Sequence, residues 1–257
     1  MMKKEIRVFI VGLCIAILLF AFRQDRPLTI YIIGDSTAAI KQERAFPETG
    51  WGMAFAKLAD QHVKVDNRAL NGRSSKSFKH DVGKDGSIMD HWTPIVEHLQ
   101  HGDYVFIQFG HNDEKINKPN VGTSLEEFEQ NLTFYIQQTR EKGAIPVLLT
   151  SIARRKFEGG SLVPTHGDYP SIMKKLAENL HVHCIDMEEK TSRLLSSYGD
   201  EKSKPLFLHV EKGNPNYPEG KQDDTHLSPI GASAVANLVV EGIKELKLPI
   251  SKHFEAH

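Results

Sequence analysis

Four short segments of this chain carry side chains whose types and spacing suit acyl transfer. The first, Ile33-Gly34-Asp35-Ser36-Thr37-Ala38, places a serine just after a β-branched run, where Gly34 permits a tight turn that exposes the hydroxyl. The second, Gln222-Asp223-Asp224-Thr225-His226-Leu227-Ser228-Pro229, sets a carboxylate three residues before an imidazole at the mouth of a helix. Serine is a weak nucleophile at neutral pH. It needs an imidazole to take its proton and a carboxylate to hold that imidazole in the right tautomer. Ser36, His226 and Asp223 fit these three roles, with a short turn bringing Asp223 to His226 and Asp224 left as a bystander charge. The remaining two segments, Asn71-Gly72-Arg73-Ser74 and Gly110-His111-Asn112-Asp113, offer groups that can donate to a developing oxyanion. Each segment alone reads equally as a turn or a cap, because Gly, Asn, Asp and Ser are the common turn formers. Together they are far more specific.

Such residues do chemistry only if the fold converges them. Strand-like runs recur at Leu28–Ile33, Val63–Val65, Tyr104–Phe109, Ile145–Thr150 and Val182–Ile185. Helical patterns lie between and after them at Gly52–Asp60, Ile88–Leu99, Ser124–Lys142, Ser171–Leu180 and Met187–Tyr198. A closing helix starts at Ser228-Pro229, a cap followed by a first-turn proline, and runs to about Leu246. Strands alternating with helices predict an α/β fold, a five-stranded parallel sheet covered on both faces. Ligands of such sheets sit at the carboxyl ends of the strands, and Ser36, Gly72, Asn112 and Ser151 all fall there. The stretch from Phe157 to Pro170 reads as an exposed loop.

The chain has 257 residues, 40% hydrophobic and 25% charged, enough for one sizeable domain, placed here at residues 25–257. A net charge of -1 gives no electrostatic reason to expect nucleic acid as a partner. Residues 1–24 have the shape of an export signal: Lys3, Lys4 and Arg7 precede a run without charge from Val8 to Phe22. That run is short of the roughly 20 residues a membrane span requires, so export is expected, with an uncleaved N-terminal anchor as the alternative. Cys14 lies inside the signal, which leaves Cys184 unpaired as a small buried hydrophobe. No metal or cofactor is expected: His181 and His183 share a strand face without a third ligand, and Asp81, Asp85 and Asp90 read as solvated turn residues. Trp51, Trp92 and Tyr217 can stack on sugar rings, although packing is the commoner role of tryptophan, and Arg73 and Lys115 can attract an acidic polymer.

The four segments, in this order, resemble the signature blocks of the SGNH branch of GDSL hydrolases, through Ser36, Gly72, Asn112 and His226. The resemblance runs from Leu28 to about Leu246. It implies a flavodoxin-like three-layer αβα sandwich, a Ser36–His226–Asp223 triad, and an oxyanion hole made of the Ser36 N–H, the Gly72 N–H and the Asn112 side-chain amide. Gly34-Asp35-Ser36-Thr37-Ala38, Gly50-Trp51-Gly52, Asn71-Gly72-Arg73-Ser74, Phe109-Gly110-His111-Asn112-Asp113 and Asp223-Asp224-Thr225-His226 are most similar to rhamnogalacturonan acetylesterases, carbohydrate esterase family twelve. The implied activity is deacetylation of a plant cell-wall polysaccharide through an acetyl-enzyme, with an acetylated polysaccharide or oligosaccharide as partner. Alternatives are a GDSL esterase or lipase acting on xylan acetyl, lysophospholipid or thioester, and a carbohydrate-binding protein that keeps the fold without turnover. An ordinary α/β-hydrolase fits less well, because the Ser36 segment lacks the final glycine of the nucleophile elbow and Asp223 and His226 share one segment.

Overall fold

A computed structural model describes residues 26–254. The export signal expected over residues 1–24 lies outside the described residues. Five strands form one all-parallel sheet: β1 (Leu28–Gly34), β2 (Val63–Asn67), β5 (Tyr104–Gln108), β6 (Ile145–Leu149) and β9 (His183–Ile185), ordered β2-β1-β5-β6-β9. The α/β reading and the strand count hold. Alternation along the strands sorts side chains into two cores. Ile30, Ile32, Phe106, Val147 and Leu149 pack on one face, Tyr31, Ile33, Val105, Ile107 and Leu148 on the other. Helices α1 (Trp51–Phe55), α5 (Met187–Ser203) and α6 (Pro229–Glu245) close the first core. Helices α2 (Thr93–His98), α3 (Leu125–Glu141) and α4 (Tyr169–Leu180) close the second. Burying one Leu, Ile or Phe side chain contributes roughly 1.5–3 kcal/mol, so these two layers hold the sheet in place.

The helix limits follow their caps. Ser228 Oγ accepts from Gly231 N–H at 3.1 Å and Pro229 opens α6, as expected. The helix expected over Ile88–Leu99 begins only at Thr93, because Asp90 accepts from the N–H groups of Trp92 and Thr93 at 2.8 and 3.0 Å. Ile88 and Met89 instead form β4, paired with β3 (Asp81–Val82), and both are exposed. Asp81 is no solvated turn residue: it is buried and pairs with Arg73 and His91 at 2.9 and 3.0 Å. The loop expected over Phe157–Pro170 contains a two-residue hairpin, β7 (Phe157–Glu158) and β8 (Ser161–Leu162), and gives way to α4 at Tyr169. Among the described residues no helix is long and apolar enough to cross a membrane.

The helix expected over Gly52–Asp60 shortens to five residues, and it is fixed by close packing. A Cβ placed on Gly50 would sit 2.1 Å from Ala39 O and 2.6 Å from Ala38 O. Those carbonyls belong to backbone that cannot move without the Ser36 turn. Gly50→Ala is expected to lower stability by about 2–3 kcal/mol through overpacking. Urea denaturation checks this as a lower midpoint at unchanged slope.

The longest feature absent from the sequence reading is a third antiparallel hairpin outside the main sheet, β10 (Phe207–Val210) with β11 (Lys221–Leu227). Its register breaks between Phe207, opposite Leu227, and Leu208, opposite Asp223. Asp224, Thr225 and His226 therefore bulge from the ladder.

Candidate active site

At the carboxyl end of β1 the chain turns sharply, and Asp35 shapes the turn. Its Oδ1 accepts from Thr37 N–H and Thr37 Oγ1, both at 2.8 Å, and its carbonyl accepts from Ala38 and Ala39 N–H. Asp35 is fully buried, which pushes its carboxyl above the ordinary range despite the Thr37 bonds. Ser36, partly exposed, is lifted to the crest. Beneath it Trp51 Nε1 donates to Gln108 Oε1 at 2.8 Å, Trp51 N–H donates to Thr37 O at 2.9 Å, and Asn67 Nδ2 donates to Ala38 O at 2.7 Å. Trp51 and Trp92 are 0% and 1% exposed, so both are packing residues and neither offers a ring to a sugar. Tyr217 spends its hydroxyl on Ala45 O.

The β11 bulge brings Asp223 to His226. In a regular strand, residues three apart point to opposite faces. Here the chain curls so that Asp223 Oδ1 accepts from the N–H groups of Thr225 and His226, each at 2.9 Å, and Asp223 Oδ2 lies 2.9 Å from His226 Nδ1. This is the short turn expected from the sequence, built into a strand. Partial burial works to raise the Asp223 carboxyl, but the bonds from the His226 ring and the two backbone N–H groups outweigh it and hold it well below the usual carboxylate range. His226 Nε2 then lies 3.0 Å from Ser36 Oγ. An ionised Asp223 accepts the Nδ1 proton, which leaves Nε2 free to accept from the serine.

The hairpin is held by a residue the sequence reading passed over. Arg155, largely buried, donates through Nη1 to Asp224 Oδ1 at 2.9 Å and through its backbone N–H to Asp224 O at 2.9 Å, while its other side pairs with Asp200. Asp224 is thus an anchor of the segment rather than a bystander.

Gly72 and Asn112 face the same end of the sheet. Gly72 has φ +76°, a conformation that favours glycine, and it is exposed. Among the described residues neither the Ser36 N–H nor the Gly72 N–H donates to another residue. Asn112 is buried to 4% exposure; its Nδ2 donates to Arg73 O at 3.0 Å, and its Oδ1 accepts from Lys115 Nζ at 2.6 Å. Asp113 ties the two segments together, accepting from Ser75 N–H and Gly110 N–H at 3.0 Å and from Ser75 Oγ. Complete burial pushes its carboxyl up to about 7 against those bonds. Ser151, also at a strand end, is buried and donates to Phe109 O, outside this group. Cys184 is unpaired, and burial pushes its thiol up to about 12. Among the described residues no cluster of three His, Cys, Asp or Glu side chains could hold a metal.

A serine hydroxyl bonded to an imidazole, a carboxylate behind it and unengaged N–H groups beside it can attack an ester carbonyl and stabilise the resulting oxyanion. On an αβα sandwich these features define a serine ester hydrolase. The chain belongs to the GDSL-like lipase/acylhydrolase family, whose model matches residues 32–234. It is 43% identical to the rhamnogalacturonan acetylesterase RhgT of Bacillus subtilis over 89% of this chain and 94% of that protein. It is 37% identical to "Probable rhamnogalacturonan acetylesterase YesY" of the same organism, over 87% of this chain and 95% of that one. The crystal structure of Bacillus subtilis YxiM superposes with a TM-score of 0.71 at 26% identity, covering 86% of this chain; the chain spans 57% of that protein's length. The protein is a carboxylic ester hydrolase with the fold that the resemblance implied.

Proposed function

We propose that the protein removes acetyl groups from rhamnogalacturonan, with Ser36 as nucleophile, His226 as general base and acid, and Asp223 orienting His226. The observation that carries the mechanism is the relay Ser36 Oγ–His226 Nε2 at 3.0 Å and His226 Nδ1–Asp223 Oδ2 at 2.9 Å, with the Ser36 and Gly72 N–H groups unengaged among the described residues. Ser36 Oγ forms a bond to the acetyl carbon as its proton passes to His226 Nε2. The Ser36 and Gly72 N–H groups and the Asn112 amide receive the oxyanion. His226 returns the proton to the departing sugar oxygen, the C–O bond to the sugar breaks, and an acetyl-enzyme remains. Water deprotonated by His226 then releases acetate and restores Ser36. The substrate assignment is supported by the 43% identity to RhgT across nearly the full length of both proteins. We further propose that the enzyme acts outside the cytoplasmic membrane, a reading supported by the basic and apolar character of residues 1–24.

The test is acetate release from acetylated rhamnogalacturonan, acetylated xylan, and short- and long-chain p-nitrophenyl esters. The expected order is rhamnogalacturonan ahead of xylan, with p-nitrophenyl acetate far ahead of long-chain esters. Preference for xylan would move the substrate while keeping the chemistry; turnover of long-chain esters alone would overturn deacetylation.

A further inference from the structure

We propose that Lys115 is a positioning residue of the oxyanion hole, fixing and polarising the Asn112 amide; this rests on the assignment of Asn112 as an oxyanion donor. An asparagine amide can turn over, presenting either its oxygen or its NH₂ to the same place. At Asn112 two neighbours remove that freedom. The Lys115 ammonium has only donors and lies 2.6 Å from Oδ1; the Arg73 carbonyl has only acceptor capacity and lies 3.0 Å from Nδ2. Turning the amide over would set ammonium against NH₂ and carbonyl against carbonyl. The second Nδ2 hydrogen is then the one group left for a substrate oxygen.

Charge adds to orientation. A hydrogen bond from a cation to an amide oxygen draws electrons from the amide and makes its N–H groups stronger donors. The arrangement has a counterpart across the site that shows what is special about Lys115. Lys41 Nζ donates to Asn71 Oδ1 at 2.8 Å, beside Gly72, but Lys41 is neutralised by Glu48 at 2.6 Å. Among the described residues Lys115 has no carboxylate within ion-pair distance. The charges that act on it are the cations Lys118 and Arg154 and the acids Asp35 and Glu114; half-burial, followed by the two cations, holds its ammonium below the ordinary lysine range. A half-buried cation without a partner carboxylate is unfavourable in a resting protein. It becomes favourable when negative charge develops on the oxygen that Asn112 receives, which is stabilisation confined to the transition state.

The experiment measures kcat and KM on p-nitrophenyl acetate, a neutral substrate too small to bind Lys115 as an acidic polymer would. Lys115→Met is expected to lower kcat about 10- to 30-fold, a fraction of the 10²–10³ typical for losing a whole oxyanion donor, with KM within about twofold. Lys115→Arg keeps the cation and is expected to recover most of the loss. In an Asn112→Ala background, Lys115→Met is expected to add less than about twofold, because the group it acts through is gone. Unchanged kcat in Lys115→Met, or a full multiplicative loss in the Asn112→Ala background, would overturn the role of Lys115 while leaving the oxyanion hole standing. If Asn112→Ala itself keeps wild-type kcat, the oxyanion assignment fails and this inference with it.

Discussion

Ser36→Ala is expected to lower kcat on p-nitrophenyl acetate by about 10⁴- to 10⁶-fold while leaving KM and the melting temperature nearly unchanged. The substitution removes one oxygen whose recorded partner is His226 Nε2, so the turn built by Asp35 and Thr37 stays as it is. Without Oγ no acetyl-enzyme can form. The proposed oxyanion donors and His226 remain, and donors of this kind sustain a residual of about 10³–10⁴ over water in a comparable site. Purified variant and wild type, compared by stopped acetate assay and thermal melting, check both halves of the expectation. Equal turnover would remove Ser36 from the chemistry.

Asp223→Asn is the second large effect, about 10⁴-fold in kcat. Asp223 Oδ1 already receives the N–H groups of Thr225 and His226, so an asparagine keeps its oxygen there and turns its NH₂ toward His226 Nδ1. The imidazole must then accept at Nδ1 and carry its proton on Nε2, facing Ser36. That tautomer cannot take the serine proton. The same carboxylate contributes to stability, with a defined sign. Its folded-state value lies below the ordinary 3.8, so the contribution is present above that value and is lost as pH falls through the folded one. The stability gap between wild type and Asp223→Asn is therefore expected to be fully open above about pH 5 and to close on acidification, as read by denaturant midpoints across that range.

Much of this was legible before the structure because it rests on local signals. β-Branched runs marked all five central strands, and Ser228-Pro229 marked the start of α6. The residues of the hydrogen-bonded relay and the proposed oxyanion segments stood out because turn formers at strand ends coincide with a serine and a histidine. What escaped was non-local or polar. β11 reads Lys-Gln-Asp-Asp-Thr-His-Leu, with no apolar alternation to announce a strand, and its partner β10 lies across an intervening loop. Arg155 and Asp224 are 69 residues apart, and Gln108 serves Trp51 and Thr37 from the buried end of β5, where the pattern predicts only packing. The misplaced helix at Ile88 has a simple cause: Ile88, Met89 and Trp92 have helical spacing, but Asp90 caps the chain one turn later.

The placement of β11 divides the proposed machinery between two structural supports. Ser36, Gly72 and Asn112 belong to loops rooted in the central sheet, whereas Asp223 and His226 travel together on a hairpin joined to the body by Arg155, by Thr49 N–H on Leu227 O and by the burial of Phe207 and Leu227. Because acid and base share one bulge, opening the hairpin separates the pair from Ser36 without separating the pair itself. Sub-global opening of this kind has its own free energy, lower than that of the whole domain. Activity is then expected to disappear at milder denaturant than the circular dichroism of the sheet, as parallel urea titrations of turnover and ellipticity would check.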